Sequence, residues 1–152
     1  MKLYHGSNME IDKPDLSRSK PFKDFGQGFY LSPGYEQAHA LAKQKTDQLQ
    51  SGAPCDQIIK TSDLQIKIFD DYCEEWAQFV LLNRDRSHTH PAHTYDIVIG
   101  PIADDGVTYQ LRRYSMGDIS MSRLIEELKY AKGLTIQYYF GTEHALSYLK
   151  KL

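Results

Sequence analysis

An α+β domain is what this sequence predicts, and three observations carry the expectation. Runs of strand character, strongest in Tyr95 to Ile102, are mixed with segments whose apolar residues recur at helical spacing. The two kinds do not follow the strict strand-helix-strand order of a parallel doubly wound sheet. No repeat, low-complexity tract or linker breaks the 152 residues, so a single domain over 1–152 is expected.

The elements follow in order. Residues 2–5 alternate weakly and read as a first strand. Asn8 to Asp24 is a Pro- and Ser-bearing connection, long for so small a domain, and long ordered loops are usually functional. Residues 28–32 form the second strand, and Ser32-Pro33-Gly34 a turn. A helix is expected from Tyr35 to Gln50, with Ala38, Leu41, Ala42 and Lys45 on one face and Ser51-Gly52-Ala53-Pro54 ending it. Asp56 to Asp70 holds Ile58-Ile59, then Leu64, Ile66 and Ile68 at period two, which makes one half-buried strand or two short ones. Tyr72 to Asn83 reads as a helix with Trp76, Phe79, Val80 and Leu82 in the core, and Arg84 to Thr94 as a polar, His-rich loop. Tyr95 to Ile102 is expected at the centre of a sheet, followed by a turn at Ala103-Asp104-Asp105-Gly106. Gly117 to Lys132 holds a helix, with Ser120 or Ser122 as N-cap and Leu124, Ile125, Leu128 and Ala131 on its apolar face. Leu134 to Phe140 is a last strand, and Thr142 caps a short terminal helix with Glu143 in its first turn.

Composition bounds the function classes. With 41% apolar residues and eleven tyrosines, the chain has material for a core and is unlike a disordered sequence. A net charge of −2, with acids and bases interspersed, gives no electrostatic reason to expect tight nonspecific DNA binding. Cys55 and Cys73 form neither a disulfide framework nor a C-x-x-C pair, so two free thiols in a reducing compartment are expected. The opening Met-Lys-Leu-Tyr-His lacks a secretory apolar region, and no run approaches the ~20 apolar residues that span a bilayer. A cytoplasmic protein with no membrane partner is the expectation.

Chemistry concentrates in two places. Asp24-Phe25-Gly26-Gln27-Gly28-Phe29-Tyr30 sets two glycines before an aromatic strand, and glycine permits a sharp turn or the close approach of a ligand. Lys2-Leu3-Tyr4-His5-Gly6-Ser7 delivers a histidine from a strand directly before another glycine. The rivals are weaker. His88, His90 and His93 in six residues suggest zinc with Asp85 or Asp96, but Pro91 breaks a helix and the spacing fits no standard helical zinc site, so an exposed loop is favoured and no metal is expected. Nothing places Cys55 or Cys73 beside these histidines as a nucleophile. Tyr109, Arg112, Arg113 and Tyr114 read as an edge strand with a solvated face.

His5-Gly6-Ser7 on a first strand and Gly26-x-Gly28-x-Tyr30 on a second resemble the mono-ADP-ribosyltransferase superfamily, in its poly(ADP-ribose) polymerase-like branch. Gln37-Ala38 on the following helix matches in place. Over nearly its full length the chain also looks like a short bacterial domain-of-unknown-function family placed in that superfamily, with local matches at Asp24 to Tyr30, Tyr95 to Asp105 and Gln137 to Leu149. The resemblance implies a split core of mixed sheets with flanking helices. It implies NAD+ as co-substrate, His5, Tyr30 and Gln137 as catalytic residues, and Gly6, Ser7, Gly28, Phe29 and Arg18 as its binding residues. Lys20 and Lys23 join Arg18 as candidates for the phosphates. His5 would hold a ribose hydroxyl, Gly6 the carboxamide, Tyr30 the nicotinamide ring and Gln137 the 2′-hydroxyl of its ribose. Gln137 stands where the superfamily carries Glu, and a carboxylate from Glu143, Asp104 or Asp105 could compensate. The implied activity is transfer of ADP-ribose to a protein or nucleic acid with release of nicotinamide, as in a bacterial toxin or effector neutralised by an antitoxin. The alternative is an NAD- or ADP-ribose-binding module without turnover.

Overall fold

The computed structural model describes residues 2–7, 11–34, 50–54, 63–130 and 133–150, with strand 50–54 described by its backbone. The helix expected from Tyr35, the Ile58-Ile59 pair, Cys55 and Ala131 lie outside the described residues. The strands are β1 (Lys2–Gly6), β2 (Phe29–Leu31), β3 (Gln50–Pro54), β4 (Ile66–Ile68), β5 (Ile97–Pro101) and β6 (Ile136–Phe140). The helices are α1 (Glu74–Arg84), α2 (Asp105–Ser115), α3 (Met121–Tyr130) and α4 (Glu143–Leu146).

A four-stranded mixed sheet runs β2-β6-β5-β4. β6 is antiparallel to both β2 and β5, and β4 is parallel to β5. β5 is internal and buried along its whole length, as its unbroken apolar run requires. β1 and β3 form a separate antiparallel pair. The Ser51 to Pro54 stretch is therefore strand and not a helix stop. Its backbone pairs with β1, which would otherwise offer an open edge, and Pro54 falls at the end of the ladder, where a missing N–H is tolerated. One bridge joins the two sheets: Tyr4 N–H donates to Ser32 O and Ser32 N–H to Tyr4 O, each at 2.8 Å.

Side-chain alternation on the strands splits the core in two. One face of the four-stranded sheet buries Phe29, Leu31, Ile97, Ile99 and Phe140 with Leu3 of β1 and Ala145 and Leu146 of α4. The other buries Val98 and Tyr139 against Phe25, Trp76 and Val80, with Val107, Leu111, Leu124 and Leu128 from α2 and α3. Trp76 is fully buried, and its indole N–H donates to Pro101 O at 3.1 Å, so an amphipathic ring is accommodated without an unpaired donor.

Three expectations are corrected by packing. Leu82 is 43% exposed, because α1 turns that face outward while Trp76, Ala77 and Val80 face the sheet. Ile68 is 49% exposed at the sheet edge, and Phe69 just past β4 is the buried residue. The segment holding Tyr109, Arg112, Arg113 and Tyr114 is helix α2, not an edge strand, and the expected turn before it is the helix start. Asp104 caps α2 by accepting from Val107 N–H at 2.9 Å, and Val107 and Leu111, four apart, form its buried stripe. α3 and α4 begin where expected: Ser120 Oγ accepts from Arg123 N–H at 3.2 Å and Thr142 Oγ1 from Ala145 N–H at 3.1 Å.

Candidate functional site

His5 reaches across from β1 to β2. Its Nδ1 lies 2.7 Å from Tyr30 O, and because a carbonyl only accepts, the proton sits on Nδ1. The imidazole stacks on the Phe29 ring, with centroids 4.2 Å apart and 23° between planes. Phe29 and Tyr30 are strand neighbours and point to opposite faces, so the imidazole lies on the Phe29 side of β2. His5 thus meets the Tyr30 main chain and not its ring. Gly6 closes β1 opposite Gln50 and, like Ser7, is half-buried.

Tyr30 is directly opposite Tyr139 in the β2-β6 ladder, and their rings meet edge-on at 5.4 Å. The Tyr30 hydroxyl donates to Gly26 O at 2.7 Å and accepts from Phe25 N–H at 3.0 Å, which pins the glycine loop to the sheet. Burial raises its pKa well above the usual tyrosine value, partly offset by the Phe25 hydrogen bond, so the phenol stays protonated. Lys23 Nζ lies over the ring, 4.7 Å from its centroid. A cation therefore already covers part of the aromatic surface assigned to nicotinamide. Gly26 has φ of +92°, a left-handed conformation that suits glycine. Gly28 is glycine for a different reason: a Cβ there would lie 2.1 Å from Tyr139 Cε2. The space is filled by Tyr139, whose hydroxyl donates to Gln27 O at 3.3 Å and whose pKa burial has pushed up to about 12.

Sequence reading missed the role of Asp24. This buried carboxylate takes four hydrogen bonds: Arg84 Nε at 2.9 Å and Nη2 at 2.5 Å on Oδ1, and Ala103 N–H at 2.9 Å and Gln137 Nε2 at 2.8 Å on Oδ2. Arg84 also donates to Thr108 Oγ1 at 2.9 Å and Ala103 O at 3.1 Å. The glycine loop, the end of α1, the approach to α2 and β6 are tied at one point. Gln137 is buried here, on the same sheet face as Tyr30 and Tyr139. The carboxylate beside it is Asp24, while Asp104 caps α2 and Glu143 lies in the first turn of α4. No short-range signal marks such a hub, since its partners are 60, 79 and 113 residues away.

The His-rich segment is not wholly solvated. His93 is half-buried, packed on Phe79 at 4.8 Å, with Tyr95 N–H donating to Nδ1 at 3.1 Å and Nε2–H donating to Phe25 O at 2.8 Å. Burial lowers its pKa, and both nitrogens are engaged by protein. His88 and Asp85 are 3.5 Å apart and exposed, while Asp96 accepts from Gln65 N–H at 2.8 Å and Thr142 Oγ1 at 2.5 Å. Among the described residues no three His, Cys, Asp or Glu side chains group to hold a metal. A cleft of about 660 Å³ opens between this segment and the glycine loop, with Phe22, Gly26, His90, Tyr95 and Tyr139 among its walls. His5, Tyr30 and Gln137 are not among its lining residues. Arg18 ends the exposed turn Leu16–Arg18, capped by Asp15. Cys73 is a free thiol at the N-cap of α1.

Fold and site together define an α+β protein in which a glycine loop is locked to a mixed sheet by a tyrosine hydroxyl and a buried aspartate. The chain belongs to the family described as protein of unknown function (DUF3990), which matches residues 1–151. No curated protein and no solved structure matches it. Among the described residues no helix is long and apolar enough to cross a membrane.

Proposed function

We propose that this protein transfers ADP-ribose from NAD+ to a macromolecular acceptor, protein or nucleic acid, and releases nicotinamide. The observation that supports the reading is the meeting of its two motifs. His5 of His5-Gly6-Ser7 bonds to Tyr30 of Gly26-x-Gly28-x-Tyr30 at 2.7 Å, across 25 residues of chain. NAD+ would be held by His5, Gly6, Ser7 and Phe29 along the β1-β2 junction, with Arg18 towards the phosphates. Gly6 and Ser7 extend directly from the anchored His5, and a glycine at that position would permit the close approach of a flat amide. Gly28 contributes by admitting Tyr139.

When bound, NAD+ supplies an ADP-ribosyl group on loss of nicotinamide. Transfer of this kind suits a bacterial toxin or effector restrained by an antitoxin protein. A second reading, a binding module without turnover, is favoured by one feature. The side chain at 137 is an amide, and its neighbouring carboxylate, Asp24, is already tied to Arg84.

Labelled NAD+ mixed with purified protein and cell lysate tests the proposal. Labelled macromolecule and free nicotinamide are expected from wild type and not from His5→Ala. Identical blanks from both sink the transferase reading. Melting in NAD+ then judges the binding module: at ~100 times the dissociation constant a bound ligand stabilises the fold by about 2.7 kcal/mol.

A further inference from the structure

Asp24 does more at Gln137 than fill space. A carboxylate can only accept hydrogen bonds, so the amide must turn Nε2 towards Asp24 Oδ2, at 2.8 Å, and Oε1 away from it. The opposite rotamer would set two acceptors against each other inside a buried network. Among the described residues no buried side-chain oxygen or nitrogen lacks a partner, and the Gln137 side chain makes its hydrogen bond through Nε2, to Asp24.

The geometry points to Asp24 as the positioning residue for Gln137: it fixes the amide with its nitrogen towards Asp24 and its oxygen away, and it bars a second ionised carboxylate from position 137. Asp24 cannot turn away to relieve a second carboxylate. Oδ1 is held by two guanidinium nitrogens of Arg84, and Oδ2 by the main-chain N–H of Ala103. Two carboxylates at this distance cannot both ionise, so an acid at 137 would have to keep its proton and donate to Asp24. Position 137 thus carries an uncharged side chain whose amide oxygen is turned away from Asp24. Gln137 lies on the sheet face opposite His5 and the proposed NAD+ site, and the orientation of its amide does not depend on that reading.

Carbon-13 titration of the carboxyl group introduced by Gln137→Glu, in the intact protein, tests the lock directly. With Asp24 present the midpoint is expected above about pH 6; with Asp24→Asn added it returns towards the ordinary value of about 4.3. An ordinary midpoint beside an intact Asp24 overturns the proposal, and this arm requires only the single variant to fold. Should the double variant not fold, Gln137→Glu in the presence of Arg84→Lys provides the second arm: loosening Asp24 should lower the raised midpoint. A raised midpoint without any NAD+ binding leaves the lock standing and removes the transferase reading.

Discussion

Asp24 and Arg84 form a pair whose side chains are 11% and 28% exposed, and each holds partners that no water can readily replace. Removing one member strands the other's charge and two or more donors. Asp24→Ala should therefore destabilise the fold by about 3–5 kcal/mol, measured as a lowered urea midpoint at neutral pH. Gly28→Ala would place a Cβ 2.1 Å from Tyr139 Cε2 and 2.8 Å from Phe140 O. The ring is held between β2 and the loop after β6, so overpacking by about 1–3 kcal/mol is expected, again by urea titration. His93 supplies a pH dependence. Burial holds its folded pKa below the ordinary imidazole value, so between the two values the unfolded chain binds more protons than the folded one. Stability is then fully present above about pH 6.5 and declines as pH falls towards the folded value. The decline in melting temperature from about pH 7.5 to about 5.5 should shrink in His93→Gln, which keeps a neutral polar side chain. An unchanged decline would assign it to other groups.

At the scale of elements, short capping side chains decide where helices start. Asp104 accepts from Val107 N–H, so Asp104→Ala should cost about 1 kcal/mol in chemical denaturation. The same cap explains which elements were legible in the sequence. β5 was readable because its apolar run is continuous, and α4 because Thr142 stands three residues before Ala145. α2 was misread as a strand: Tyr109 and Tyr114 are β-formers, and Gly106 looks like a turn. The signal that finds it is Asp104 followed by Val107 and Leu111, an N-cap and a buried stripe. β3 could not be recognised from Gln50-Ser-Gly-Ala-Pro54 by any periodicity, because β1 and not side-chain pattern makes it a strand. The candidate site divides the same way. His5 and Tyr30 were visible as motif residues, but the face on which each side chain lies depended on pairing register, and the hub at Asp24 depended on contacts between distant segments.

For the whole molecule, the two halves of the core sit on opposite faces of one sheet, and His5 belongs to one half while Tyr30 and Gln137 belong to the other. Strand β2 is where the halves communicate: its main chain receives His5, its Tyr30 hydroxyl holds the glycine loop, and Ser32 just past its end is bridged to Tyr4. That bridge carries a consequence for motion. The Tyr4 and Ser32 amides donate to each other's carbonyls, so one parting of the sheets frees both donors at once. Their hydrogens should exchange with deuterium with a shared protection factor, lower than that of the amides of β5 deep in the larger sheet. A molecule lodged across β1 and β2 should slow both by the same factor while leaving β5 alone. Exchange of the pair, followed residue by residue with and without NAD+, is a gauge of sheet opening that needs no acceptor and no turnover; unequal protection factors at Tyr4 and Ser32 would show that the sheets do not part as units.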